Sequence, residues 1–205
     1  MIVTVSAYKG GVGKTTTALH IAGVLGLEKP TLLVDRDRIP SAFRWYRKSA
    51  SWPFQVVPES NADPDTVRRY RRDGHVVFDN PAGPTRAELV TLGQHSDLVL
   101  MPTTPDALAI EALVDTVRDL RQGDVNYRIV LVMVPPWPSR EGPRARAAFR
   151  KANLPVLAAE IPRAAAFHHA ALQGTLVRDV RDRRAAELWK AYEAVTHEMM
   201  QGSPA

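Results

Sequence analysis

A chain of 205 residues with 45% hydrophobic and 24% charged side chains is long enough for one α/β domain with a sizeable core. It contains no cysteine, which excludes disulfides, thiolate metal sites and iron–sulfur clusters, and no apolar run of about 18 residues, so no membrane-spanning helix is expected. The formal net charge of +5 suits a polyanionic partner, although an arginine-rich composition alone gives the same balance.

In chain order, residues 2–6 form a short apolar strand candidate that runs into a polar loop, unlike a secretion signal. The loop reads Lys9-Gly10-Gly11-Val12-Gly13-Lys14-Thr15-Thr16. It is a phosphate-binding loop of the form G-x-x-x-x-G-K-[ST], opened here by a lysine. Glycines let the chain turn tightly and aim successive N–H groups at phosphate oxygens, and the helix that follows adds the positive end of its dipole. Lys14 is placed for the β and γ phosphates and the Thr15 hydroxyl for Mg²⁺. A lone lysine such as Lys9 is usually a solvated strand end. Inside this loop it becomes a second cation near the nucleotide.

Further strand candidates at 31–34, 55–57, 75–78, 98–101, 129–134 and 156–160 alternate with helical candidates at 15–26, 41–49, 64–72, 85–93, 107–121, 143–152 and 183–200. Continuous apolar strands between helices predict a doubly wound α/β fold, a mostly parallel sheet of about seven strands with helices on both faces. One domain should span 1–200, with a frayed tail at 201–205. Phosphate should bind at the carboxyl ends of the strands.

Two of those strands end in carboxylates. Asp35 and Asp37 sit where they can orient Mg²⁺ or an attacking water; the alternative is a capping aspartate before a helix at Ser41. Asp79 closes the 75–78 run in the manner of a Walker B strand, and Asn80-Pro81-Ala82-Gly83 follows, either a plain turn or a γ-phosphate switch. The strand at 129–134 runs into Pro135-Pro136-Trp137 with no side-chain amide to read a base. Trp137 is either a stacking surface or an anchor. Adjacent His168 and His169 point apart on a helix and do not chelate one metal.

Arginine and lysine cluster at 44–48, 68–72, 140–151 and 178–184, each more simply a solvated face than a nucleic-acid contact. Summed over two copies they would form a positive surface, which is all that non-specific DNA binding needs. The last helix carries Leu188, Trp189, Tyr192, Val195 and Met199 at core spacing, and Glu193 and Glu198 argue against a basic membrane helix.

With Lys9 ahead of Gly10-Gly11-x-Gly13-Lys14-Thr15, and with Asp37, Asp79 and the Pro102-x-x-Pro105 exit, the chain resembles the ParA/MinD family of deviant Walker A ATPases. The resemblance implies ATP and Mg²⁺ as cofactors, and a homodimer in which Lys9 reaches the partner's nucleotide. It further implies that Lys9, Lys14 and Asp37 are catalytic, that Thr15, Asp79 and Asp35 surround the metal, and that Gly83 contacts the γ phosphate. Arg38, Ile39 and Pro40 depart from the family's usual Pro-Gln-Gly after the second aspartate.

The expected function is plasmid or chromosome partition. It would bring non-specific DNA contacts through Arg178, Arg181, Arg183 and Arg184, a ParB-like centromere-binding partner, and a cytoplasmic, nucleoid-associated location without membrane attachment. The alternative is a MinD/ParA-type positioning ATPase for a cargo other than DNA. Cluster-bearing relatives are excluded by the absent cysteine.

Overall fold

The alternation of apolar strands and helices builds a single sheet. The computed structural model describes residues 1–49 and 51–201. Its strands are β1 (Ile2–Val5), β2 (Thr31–Asp35), β3 (Gln55–Pro58), β4 (His75–Asp79), β5 (Leu98–Thr103), β6 (Tyr127–Val134) and β7 (Val156–Pro162). They lie in the order β3-β2-β4-β1-β5-β6-β7, and all adjacent pairs are parallel. The helices are α1 (Lys14–Leu25), α2 (Ser41–Tyr46), α3 (Pro64–Asp73), α4 (Arg86–Gln94), α5 (Ala107–Gln122), α6 (Glu141–Lys151), α7 (Ala166–Gln173) and α8 (Ala185–Met200).

Strand side chains alternate between two helical layers, as the two-residue period requires. Val3, Val5, Leu33, Val77, Leu98 and Leu100 pack with Leu19 and Ile21 of α1 and Leu188 and Tyr192 of α8. Their neighbours face the other way. Val99, Met101, Ile129 and Leu131 meet Leu113, Val117 and Leu120 of α5 and Phe149 of α6. Ile2, Leu32, Val34 and Val76 meet Val67 and Tyr70 of α3. Burial on both faces is what made these runs apolar without interruption.

Each of the predicted strands and helices is present, with shifts at the ends. Helix α2 stops at Tyr46, short of the expected 49. The Trp52 indole N–H donates to the Tyr46 carbonyl at 3.0 Å, so a side chain from beyond the helix satisfies its last turn. Helix α6 starts earlier than expected, at Glu141, where Pro143 fits a first turn that lacks donors in any case. Residues 202–205 of the expected frayed tail lie outside the described residues.

The strand order sets the site. The chain leaves β1 toward β2 on one side and later crosses to β5 on the other, so the β1–α1 loop lies where the winding reverses. The loops after β4 and β5 flank it.

Candidate nucleotide-binding site

Strand β1 is fully buried and ends at Val5, so the following loop is held at its root. Gly11 and Gly13 both adopt φ of 77°, a left-handed conformation that a side chain resists. Gly13 caps α1 without a side-chain hydrogen bond, and no acidic residue occupies the first turn. The first N–H groups of α1 therefore face outward with no intramolecular anion, ready for phosphate. Lys14 is buried, and desolvation pulls its ammonium below the usual lysine range while Asp79 and Asp37 act in the opposite direction.

The loop after β4 lies against this one. Asn80 is buried and its backbone N–H donates to the Val5 carbonyl at 3.2 Å. Gly83, at φ 66°, donates its N–H to the Ala7 carbonyl over a long 3.4 Å. That weak bond leaves the Gly83 N–H beside the phosphate loop and readily exchanged for a better acceptor.

Asp79 is 2% exposed, and its Oδ1 has no hydrogen-bond partner. Burial pushes its carboxyl up to about 7, the Thr15 hydroxyl lowers it by donating a hydrogen bond, and Asp35 raises it further. An unpartnered buried carboxylate oxygen beside the Thr15 hydroxyl, with phosphate donors adjacent, fits a hard divalent cation such as Mg²⁺.

The two aspartates after β2 part company. Asp35 accepts from the Asp37 N–H at 3.1 Å through Oδ1 and from the Phe43 N–H at 3.0 Å through Oδ2. Each oxygen thus accepts one N–H, from the loop and from the start of α2, as a capping aspartate does, and keeps a further lone pair, so these contacts are compatible with the metal role expected for Asp35. Asp37 carries a single backbone contact, from the Ile39 N–H at 3.0 Å, and its charge acts on Lys14 and Asp79.

Lys9 folds back onto its own chain. Its Nζ donates to Asp106 Oδ1 at 3.1 Å, in a pair about half exposed on each side. Asp106 also accepts from the Ala109 N–H at 3.0 Å and from the Thr104 hydroxyl, at the start of α5. The family resemblance implies that Lys9 reaches a partner's nucleotide; the sequence offered no signal for Asp106.

A cavity of about 290 Å³ opens beside Gly13 and Thr16, lined by Met133, Pro162, Arg163, Phe167 and Tyr192 among others. Met133 holds φ 53° at the end of β6, a conformation rare for a bulky side chain, and the Arg163 N–H donates to the Val134 carbonyl at 2.8 Å. Trp137, considered above as a stacking surface, is 91% exposed and does not line this cavity.

The arginines expected at DNA are unequal. Arg178 lies over the Trp189 ring at 5.0 Å and pairs with Asp179, and Arg184 pairs with Glu187 at 2.9 Å. Arg181 and Arg183 are exposed. His168 and His169 have ring centres 6.5 Å apart, and no cluster of metal-ligating side chains occurs among the described residues.

Residues 3–177 match the model of the CobQ/CobB/MinD/ParA nucleotide binding domain. A relative from Gloeobacter kilaueensis, "Maintenance of carboxysome distribution protein A", is 33% identical over 203 residues, 97% of this chain and 93% of that protein. Among solved structures, an ATP complex of McdA from Cyanothece superposes with a TM-score of 0.72 at 16% identity, covering 100% of this chain and 98% of that one. The septum site-determining protein MinD from Pyrococcus horikoshii, complexed with Mg-ADP, gives 0.68 at 16% identity over 98% and 97% of the two chains. At these identities the structural likenesses show the fold.

Proposed function

The chain belongs to the CobQ/CobB/MinD/ParA nucleotide-binding family and is a P-loop ATPase of the ParA/MinD type, and from that premise we propose that it positions a protein-built cargo of the carboxysome kind. The observation that carries this reading is the 33% identity, over nearly the whole chain, with a carboxysome distribution protein. It favours the non-DNA cargo over the plasmid or chromosome partition first expected from the motifs. The ParB-like partner goes with partition; a cargo-bound adaptor protein takes its place.

The nucleotide chemistry follows from the site. The triphosphate lies along the N–H groups of residues 10–16, with Lys14 on its β and γ oxygens and the base in the cavity beside Met133 and Phe167. Thr15 and Asp79 would hold Mg²⁺, which neutralises charge on the β and γ oxygens. Asp35 braces the loop, and Asp37 accepts a hydrogen bond from the attacking water and aims it at the γ phosphorus. The Gly83 N–H moves from the Ala7 carbonyl to the γ phosphate.

Dimerisation completes the site. Tyr8, Ile39, Leu108 and Trp137 are 59%, 60%, 70% and 91% exposed; Tyr8, Ile39 and Trp137 lie in the loops after β1, β2 and β6, and Leu108 lies in the first turn of α5 after β5, on the edge that carries the phosphate loop. Exposed apolar side chains around a cationic site suit a second copy placed face to face over the nucleotides. Lys9 then leaves Asp106 for the partner's phosphates.

Deletion of the gene in its host, with fluorescently labelled protein-shelled compartments, tests the cargo. Clumped or unevenly inherited compartments are expected. Evenly spaced compartments together with plasmid or chromosome loss would restore the partition reading.

A further inference from the structure

Arg36 stands between Asp35, the last residue of β2, and Asp37 of the β2–α2 loop, and is tied through both its backbone and its side chain. Its backbone N–H donates to the Asp79 carbonyl at 2.9 Å. Its guanidinium donates through Nε to Glu59 Oε1 at 2.7 Å and through Nη1 to Asn80 Oδ1 at 3.2 Å, and lies 5.7 Å from the centre of the Phe78 ring. Asn80 in turn donates from its backbone N–H and from Nδ2 to the Val5 carbonyl, at 3.2 and 3.5 Å. Glu59 opens the short turn Glu59–Asn61 directly after β3. The result is a polar strut across the carboxyl ends of β3, β2, β4 and β1, four neighbouring strands. It borders a cleft of about 490 Å³ shared with residues 80–84 and with Glu88 of α4.

The geometry points to Arg36 as a positioning residue that makes the two loops flanking the γ phosphate move as one unit. By occupying Asn80 Oδ1 it fixes which way the Asn80 amide faces, so that Nδ2 meets Val5 and the turn ending at Gly83 starts from a fixed point. By the same contacts it anchors the residue immediately before Asp37. A guanidinium suits this task because its planar fork addresses two acceptors at once, which an ammonium does not match. The ordering of both loops is then in place before nucleotide binds, so Arg36 acts on turnover rather than on affinity. This rests on the ATPase reading above. It goes beyond that reading because Arg36 touches neither the phosphate loop nor the base cavity.

Two measurements on the full-length protein test it: hydrogen exchange of the peptide spanning 78–85, and steady-state ATP hydrolysis. In Arg36→Ala, exchange at Asn80, Ala82 and Gly83 should accelerate about tenfold, while the phosphate-loop peptide is unchanged. Turnover at saturating ATP should fall about tenfold with KM within about twofold. Arg36→Lys should fall between the two proteins in both assays, and Glu59→Gln should loosen the 78–85 peptide less than Arg36→Ala. Should Arg36→Ala lose its cooperative melt, the Lys variant is read in the same two assays. Unchanged exchange at 78–85, or a rise in KM with kcat intact, overturns the strut. The exchange readout needs no hydrolysis, so a wild-type protein without ATPase activity would sink the ATPase reading and still leave the strut tested.

Discussion

At the scale of single residues the site turns on charge. Lys9→Ala should abolish ATP hydrolysis while leaving the thermal melt unchanged, because Lys9 is half exposed and holds only a surface pair. Phosphate release and circular dichroism check the two halves. Asp106→Asn keeps an acceptor for the Ala109 N–H yet loosens Lys9, so dimers should form at about two- to fivefold lower ATP concentration.

Asp79 and His20 give pH dependences of opposite sign. Burial raises the Asp79 carboxyl from 3.8 to about 7, so the folded state holds a proton that the unfolded state has released. Its contribution is present below about pH 4 and is lost as pH rises through 7. His20 is buried among Trp45, Phe167, Trp189 and Tyr192, and desolvation lowers it from 6.5 to about 4. Its Nε2 accepts the Val177 N–H at 3.0 Å, so the neutral ring carries its proton on Nδ1, facing the Thr16 carbonyl. Its contribution is present above 6.5 and is lost as pH falls toward 4. Asp79→Asn should therefore stabilise the nucleotide-free protein at pH 8, by roughly 1–3 kcal/mol, and leave a melt that weakens monotonically with acid below pH 6.5. Denaturant melts across pH read both effects.

At the scale of elements, β6 stores strain at the end that borders the cavity beside Gly13. Met133 holds a left-handed backbone while its terminal methyl, Cε, lies 3.4 Å from where a Cβ on Gly13 would stand. Met133→Gly should raise stability by about 1 kcal/mol and yet weaken nucleotide binding, since the cavity loses a wall. Melting temperature and nucleotide affinity moving in opposite directions would show it; both falling together would assign Met133 to packing alone. The carboxylate strands were legible because Asp35 and Asp79 follow unbroken apolar runs. The difference in hydrogen bonding between Asp35 and Asp37 was not. Residues two apart look equivalent along the chain, and only the path of α2 back toward Asp35 gives its oxygens the Phe43 N–H.

At the scale of the whole molecule the expected unit is a pair. Light scattering of Asp37→Ala with saturating ATP should give twice the protomer mass; a lone protomer would remove the basis for Lys9 acting across an interface. Filter binding with random duplex DNA, with ATP and across salt, separates a DNA-based track from a cargo surface that ignores DNA. Arg181 and Arg183 are the exposed members of the last basic cluster, and their loss should flatten the salt slope if DNA binds there. No described helix is long and apolar enough to cross a membrane.

The sequence by itself determined the phosphate loop, the winding of the sheet and the family. These depend on local spacing: glycines at fixed offsets, carboxylates after apolar runs, and a lysine ahead of the loop. Tertiary structure alone decided what each charged group faces. Lys9 meets Asp106 from 97 residues away, Arg36 gathers Glu59 and Asn80 from the segments that follow two other strands, and Arg163 helps enclose a cavity beside Gly13. Such contacts arise where the loops of a parallel sheet converge at one edge, and distance along the chain carries no record of that convergence.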